Sequence, residues 1–274
     1  MYRSQPFPPL TTMIKNLMII NALLFFAKLV FMRNGAVDLD GILSQHHFLS
    51  HDFKPHQLLT SVFMHGSWGH LLGNMLGLYL FGSKLELVWG PVRFLKFYLI
   101  CGVGASIISG AATYWETYQL VKEFDHAIAA GGFRDFADIY ERYGLAAWSD
   151  PPIQTLYQNW AAAPDNTEYA RLALDSLLVV RDVQVSGIAL GASGAVFGIM
   201  AAAAYMFPND YLMVNLIIPM KIKYAVPLYA IIELYLALQN NPGDQVGHVA
   251  HLGGAVIGFL WVYFTYRRKN RRLF

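Results

Sequence analysis

Six apolar runs, each close to the length of a bilayer crossing, leave this chain few ways to fold. They fall at about 13–32, 60–82, 92–114, 193–207, 224–239 and 249–266. A helix needs about 20 residues, rising about 1.5 Å each, to cross a hydrocarbon layer of about 30 Å. Backbone polar groups in lipid must satisfy one another internally, so runs of this length predict helices. Composition agrees: 55% of the 274 residues are hydrophobic and 14% charged, and the mean hydropathy is +0.37. That balance excludes an ordinary soluble domain and a lone membrane anchor alike. The expected fold class is an all-α membrane protein, a six-transmembrane-helix bundle forming a single domain over residues 1–274. The first run, from near Met13 to about Met32, is long enough to span rather than to be removed as a signal peptide. The fourth run is short, which fits a helix that starts below the membrane surface beside a water-filled cavity. The single cysteine, Cys101, allows no disulfide within the chain and reads as a small core residue.

Charge in the connections sets the expected orientation. Lys84, Arg93 and Lys96 lie between the second and third runs, and Lys221 and Lys223 between the fourth and fifth. Arg267, Arg268, Lys269, Arg271 and Arg272 follow the sixth, and Arg3 and Lys15 precede or open the first. All fall on one side of a six-span protein, so the positive-inside rule places both termini in the cytoplasm. The loop from Asn240 to Gly247 lacks Lys and Arg and belongs outside. So does the stretch 114–190, where Asp and Glu outnumber Lys and Arg.

That stretch is expected to be a non-cytoplasmic helical insert between the third and fourth spans. Phe124, Ile128, Phe133, Phe136, Ile139 and Tyr140 recur at roughly helical spacing, and Gly131-Gly132 reads as a helix stop. Asn166 to Val180 repeats the pattern, with Asp150-Pro151-Pro152 and Ala163-Pro164-Asp165-Asn166 as turns between. Such an insert serves either as a lid or spacer or as a substrate-docking element.

Polar side chains in the apolar runs carry the chemistry. Gly191-Ala192-Ser193-Gly194 opens the fourth run, and Ala250-His251-Leu252-Gly253-Gly254 begins the sixth. Serine becomes a useful nucleophile when a histidine takes its proton. Gly194 and Gly198 lie four apart, as do Gly254 and Gly258, which allows the two helix backbones to approach closely. His251, Gly254 and Gly258 share one helix face. His70 and Asn74 lie at i and i+4 on the second run, so both can face a developing oxyanion together with the backbone N–H of Ser193. Phe197, four residues after Ser193, is placed to pack against the ring of His251.

Each feature has a blander reading. Small residues and serine are common where membrane helices touch, and a histidine there can simply be a packed hydrogen-bonder. The serine motif is not the Gly-x-Ser-x-Gly nucleophile elbow, because Ala195 occupies its last position. A metal site drawing on His65, His70, His248 and His251 is the clearest competitor, though no His-Glu-x-x-His motif occurs. His65 and His248 read instead as polar caps or cavity-lining groups. Glu233, an acid in the fifth run that could pass for a third triad member, falls near the middle of that run, below the expected level of Ser193, and reads instead as a structural hydrogen-bonding group to a neighbouring helix. Lys28 reads as a snorkelling side chain without a chemical role. Leu216-Ile217-Ile218-Pro219 reads as an interfacial or cytoplasmic loop. A binding protein without catalysis predicts loss of Ser193, His251, His70 or Asn74, yet all four are present. A transporter predicts repeated halves or a series of intramembrane charges, and neither is seen.

The runs His65-Gly66-Ser67-Trp68-Gly69-His70-Leu71-Leu72-Gly73-Asn74-Met75, Gly191-Ala192-Ser193-Gly194-Ala195-Val196-Phe197-Gly198 and Ala250-His251-Leu252-Gly253-Gly254 together resemble the rhomboid family of intramembrane serine proteases. Their order and their placement on the second, fourth and sixth spans match as well, and the likeness covers nearly all of the chain apart from the insert. The resemblance implies a six-transmembrane-helix rhomboid bundle acting as a serine endopeptidase. It implies Ser193 as nucleophile, His251 as general base and acid in a dyad without a carboxylate, and His70 and Asn74, with Ser193 N–H, as oxyanion donors. Its substrates are transmembrane proteins in a lipid bilayer, cut near the outer membrane surface. No cofactor, metal or nucleic acid is expected, and the oligomeric state is left open. A bacterial-type plasma membrane is the expected location. Two departures stand out: no Trp-Arg pair occurs between Arg33 and Thr60, and the insert before Ser193 is larger than in the family's minimal members.

Overall fold

The computed structural model describes residues 8–35, 37–145, 151–214, 218–239 and 247–270. Arg3, Asp150, Leu216, Ile217, residues 240–246, Arg271 and Arg272 lie outside the described residues, as do the side chains of Arg267, Arg268 and Lys269. The chain divides into two compact units, one of 1–46, 52–112 and 188–274, the other of 47–51 and 113–187.

In the first unit, α1 (Thr12–Asn34) is followed by the short helices α2 (Leu39–Leu43) and α3 (Gln57–Thr60) and a 3-10 turn, Ser61–Phe63. Then come α4 (Trp68–Gly77), a π-helical turn over Leu78–Gly82, α5 (Ser83–Trp89) and the start of α6 (Pro91–Ala130). The single helix expected over 60–82 is therefore interrupted. Met64 and Ser67 are extended, and the Ser67 hydroxyl accepts from His70 N–H at 3.2 Å. A serine N-cap ends whatever precedes it and restarts the helix at Trp68. From there helical backbone continues through the π turn to residue 89.

The expected end of the third run near 114 also moves. Nothing in that stretch breaks a helix, and α6 continues for 40 residues, about 60 Å at the usual rise. It stops where Gly131 adopts φ +68°, a left-handed conformation suited to glycine.

Among the described residues, four helices are long and apolar enough to cross a membrane: α1, α6, α11 (Ile222–Gln239) and α12 (His248–Asn270), the last over His248–Tyr266. Between α6 and α11 in this unit lies the shorter apolar α10 (Ser193–Met206), whose residues from Gly194 to Met200 are all buried. Large apolar side chains stay exposed along the long helices, among them Leu23 and Phe26 on α1, Ile231 and Leu238 on α11, and Phe259 and Phe264 on α12. An apolar exterior of this extent suits lipid rather than water.

The basic connections come together. Lys84 pairs with Asp210 at 2.8 Å, which joins the start of α5 to the turn after α10. Trp89 Nε1 donates to Tyr266 Oη at 2.6 Å, and the Arg93 guanidinium lies 5.6 Å from the Trp89 ring centroid. The opposite end of α1 carries Lys28, which is buried, pairs with Asp40 at 2.6 Å and donates to His65 O at 3.0 Å. Its expected snorkelling to the interface is therefore replaced by a buried pair, because an acceptor and a counter-charge lie within reach.

Among the described residues, two small β pairings modify the all-α expectation. β1 (Gln45–His46) pairs antiparallel with β2 (Ile188–Ala189), and β3 (Tyr211–Val214) with β4 (Ile218–Lys221). Ile218 and Pro219, expected in a loop, lie in β4.

The second unit is helical throughout its described regular structure. The C-terminal part of α6 joins α7 (Phe133–Arg142), α8 (Pro151–Ala162) and α9 (Thr167–Gln184). Its core gathers Phe124, Phe136, Ile139, Leu156, Trp160 and Leu177. Asn166 caps α9 by accepting from Glu168 N–H and Tyr169 N–H. Tyr140 and Tyr157 stack at 4.3 Å. The Tyr143 hydroxyl and Arg142 hold the Glu123 carboxylate below its usual range.

Candidate functional site

The contact between α10 and α12 sets the site. A β-carbon on Gly254 would stand 1.9 Å from Gly194 O, and one on Gly258 would stand 2.3 Å from Gly198 O. Glycine at these positions lets the two backbones touch, and it brings residues 193 and 251 to the same end of the contact. Ser193 is the first residue of α10, so its N–H has no partner within the helix and faces outward at the positive end of the helix dipole.

A cavity of about 1440 Å³ opens here, lined by Ser193, His251, His70, Asn74, Phe197 and Tyr229 among others. His251 is 8% exposed. Its ring lies flat on Phe197, with centroids 4.3 Å apart and planes 7° apart. None of the described hydrogen bonds joins Ser193 Oγ to His251. Catalytic hydrogen bonds often tighten only when substrate enters.

On the facing wall, α4 presents His70 and Asn74 one turn apart. Gly66 N–H points at His70 Nδ1 at 3.5 Å, and Nε2 is the nitrogen on the Gly191 side. Gly191 takes φ +130°, and a β-carbon there would meet His70 Nε2 at 2.7 Å and Ser193 Oγ at 3.6 Å. Gly191 N–H donates to Ser61 O at 2.9 Å, pinning this loop beneath the 3-10 turn. Asn74 is buried, and its Nδ2 has no hydrogen-bond partner among the described residues. A buried donor left unpaired is costly unless a ligand supplies the acceptor.

Sequence reasoning set Glu233 aside by placing it below the level of Ser193, and the structure brings it to His251. Glu233, 3% exposed, lies against the site: its Oε2 is 2.8 Å from His251 Nδ1 and 2.6 Å from His248 Nδ1. The two histidines at i and i+3, with one acid in an apolar run, were the available signal. Glu233, His248 and His251 each offer a ligand atom, all within 4.8 Å of one another. Ligands around a tetrahedral zinc at about 2.0–2.1 Å stand about 3.3 Å apart. The two Nδ1–Oε2 separations are shorter and have the lengths of hydrogen bonds. His65, the other expected cap, is buried and packs edge-on against His70 at 5.1 Å.

The Rhomboid domain family matches residues 52–121 and 169–268; the unmatched stretch between them falls in the second unit. The chain is 26% identical over 208 residues to the rhomboid protease AarA of Providencia stuartii, covering 73% of this chain and 52% of that protein. It is 36% identical over 96 residues to the mitochondrial RHOMBOID-like protein 12 of Arabidopsis thaliana, covering 33% of this chain and 26% of the relative. An uncharacterized mitochondrial rhomboid protein of Schizosaccharomyces pombe is 28% identical over 204 residues, with 73% and 48% covered. The chain thus spans about half or less of the length of these relatives. With a family match over more than half of its residues and apolar helices of spanning length, this chain belongs to the rhomboid family and is a multi-pass integral membrane protein.

Proposed function

We propose that this chain is an intramembrane serine endopeptidase that cuts transmembrane segments of other membrane proteins near the outer membrane surface. The observation that carries the reading is the gathering of Ser193, His251, His70 and Asn74 around one cavity, beside a glycine-to-glycine contact that joins the first two. In this reading six helical segments lie in the membrane, five of them crossing it fully. The helical stretch 68–89 supplies the second. The fourth is α10, which is 14 residues long, about 21 Å, too short to cross a hydrocarbon layer of about 30 Å. Ser193 thereby sits below the surface on hydrated backbone. The gathered basic connections face the cytoplasm with both termini, and residues 114–190 form an insert on the other side.

A substrate helix enters past α11, whose Ile231 and Leu238 are exposed, and unwinds locally to offer its peptide bond. Ser193 Oγ attacks the carbonyl carbon while His251 takes the hydroxyl proton. Asn74 Nδ2–H, His70 Nε2–H and Ser193 N–H receive the oxyanion, each such donor contributing about 3 kcal/mol. His251 then protonates the leaving amine, and water activated by the same ring releases the acyl-enzyme. A fluorophosphonate probe is expected to label the wild-type protein in liposomes and to leave Ser193→Ala unlabelled and unable to cleave. Cleavage by Ser193→Ala discards the assignment.

The grouping of Glu233, His248 and His251 favours one rival, a metal-dependent hydrolase. That reading requires a chelator to abolish cleavage and zinc to restore it, whereas the serine reading requires chelation to change nothing.

A further inference from the structure

We propose that Glu233 is a positioning residue for His251, so that a carboxylate, an imidazole and a hydroxyl act in line; this rests on the serine-hydrolase reading above. An ionised carboxylate can only accept hydrogen bonds. With two imidazole Nδ1 atoms at 2.6 and 2.8 Å from one Oε2, both rings act as donors to it. His251 therefore carries its proton on Nδ1 and leaves the Nε2 lone pair free, the tautomer a general base needs toward a serine hydroxyl. Two restraints then hold the ring: Phe197 sets its plane, and Glu233 sets its rotation within that plane.

His248 has a part in this. A buried carboxylate inside a membrane-spanning helix is expensive unless well paired. The second donor from His248 lowers that cost and holds Oε2 in place for His251. The site spans two helices, with Glu233 on α11 and both histidines in the first turn of α12, so the pairing also fixes the register between them. When Ser193 gives up its proton, it passes to His251 Nε2 and on to the leaving amine. Glu233 stays ionised throughout and stabilises the imidazolium between those two steps.

The test uses the full-length protein in liposomes with a transmembrane substrate. Glu233→Gln is expected to lower kcat by about a hundred- to ten-thousandfold, since an amide favours the wrong tautomer, while KM changes less than about twofold. Glu233→Asp is expected to recover part of the loss. Fluorophosphonate labelling of Ser193 should slow in parallel. Nitrogen-15 spectra of histidine-labelled wild-type protein, assigned with His251→Asn, should show the His251 proton on Nδ1, a readout that needs no variant at position 233 to fold. A proton found on Nε2 overturns the proposal. Ser193-dependent labelling that Glu233→Gln leaves at full rate overturns it alone, whereas a wild-type protein unreactive at Ser193 overturns the hydrolase reading and this proposal with it. Loss of labelling on chelation, restored by zinc, assigns the same three side chains to a metal and overturns it too.

Discussion

Gly191 holds a φ of +130° with the His70 ring where its β-carbon would be. An L-residue there pays backbone strain of about 1–3 kcal/mol and pushes His70, a proposed oxyanion donor, away from Ser193. Gly191→Ala is expected to fold yet lose at least about tenfold in kcat/KM, about 1.4 kcal/mol of transition-state stabilisation, with melting in detergent as the check on folding. The motif around Ser193 is legible in the chain, but the reason for its first glycine is not, because His70 arrives from another helix. The same holds for Glu233. Its place in the apolar run is plain, and its two partners, 15 and 18 residues further on, are beyond any local periodicity.

Among the elements, the seam between α10 and α12 is the most readable. Pairs of glycines four apart signal close helix contact, and the seam tolerates no β-carbon at Gly254, where a backbone oxygen stands 1.9 Å away. Backbone cannot swing aside as a side chain can. Gly254→Ala is expected to destabilise the fold by about 3 kcal/mol or more, read as a lower unfolding midpoint in mixed micelles. The start of α1 is held differently. The buried Glu86 carboxylate on α5 accepts from Met13 N–H, Ile14 N–H and the Thr11 hydroxyl, so a distant acid caps a helix whose own N-cap does not. Glu86→Ala is expected to cost about 2 kcal/mol and to raise hydrogen exchange in the first turn of α1. Hydropathy alone blurs such detail: it merged the break before Trp68 into one span and ended α6 too early, since apolar content reports burial in lipid and says little about where backbone bonding stops.

For the whole molecule, the proposed orientation follows from charge and can be checked with thiols. Cys101 is buried and stays silent toward aqueous reagents. Asp175→Cys and Lys96→Cys each place a thiol at an exposed position. In intact cells a membrane-impermeant maleimide is expected to label the first at once and the second only after permeabilisation; the reverse pattern inverts the topology. What the residues determine without coordinates is the class of solvent and the candidates for the proposed site. Long apolar runs must become helices in lipid, and costly polar groups within them single out Ser193, His251, His70 and Asn74 as those candidates. Tertiary structure alone decides which nitrogen of His251 faces Glu233, that Lys28 is buried against Asp40, and that Asn74 Nδ2 meets no acceptor among the described residues. These are matters of distance and direction between segments far apart in the chain, and they are set by how the helices pack, not by the spacing along any one of them.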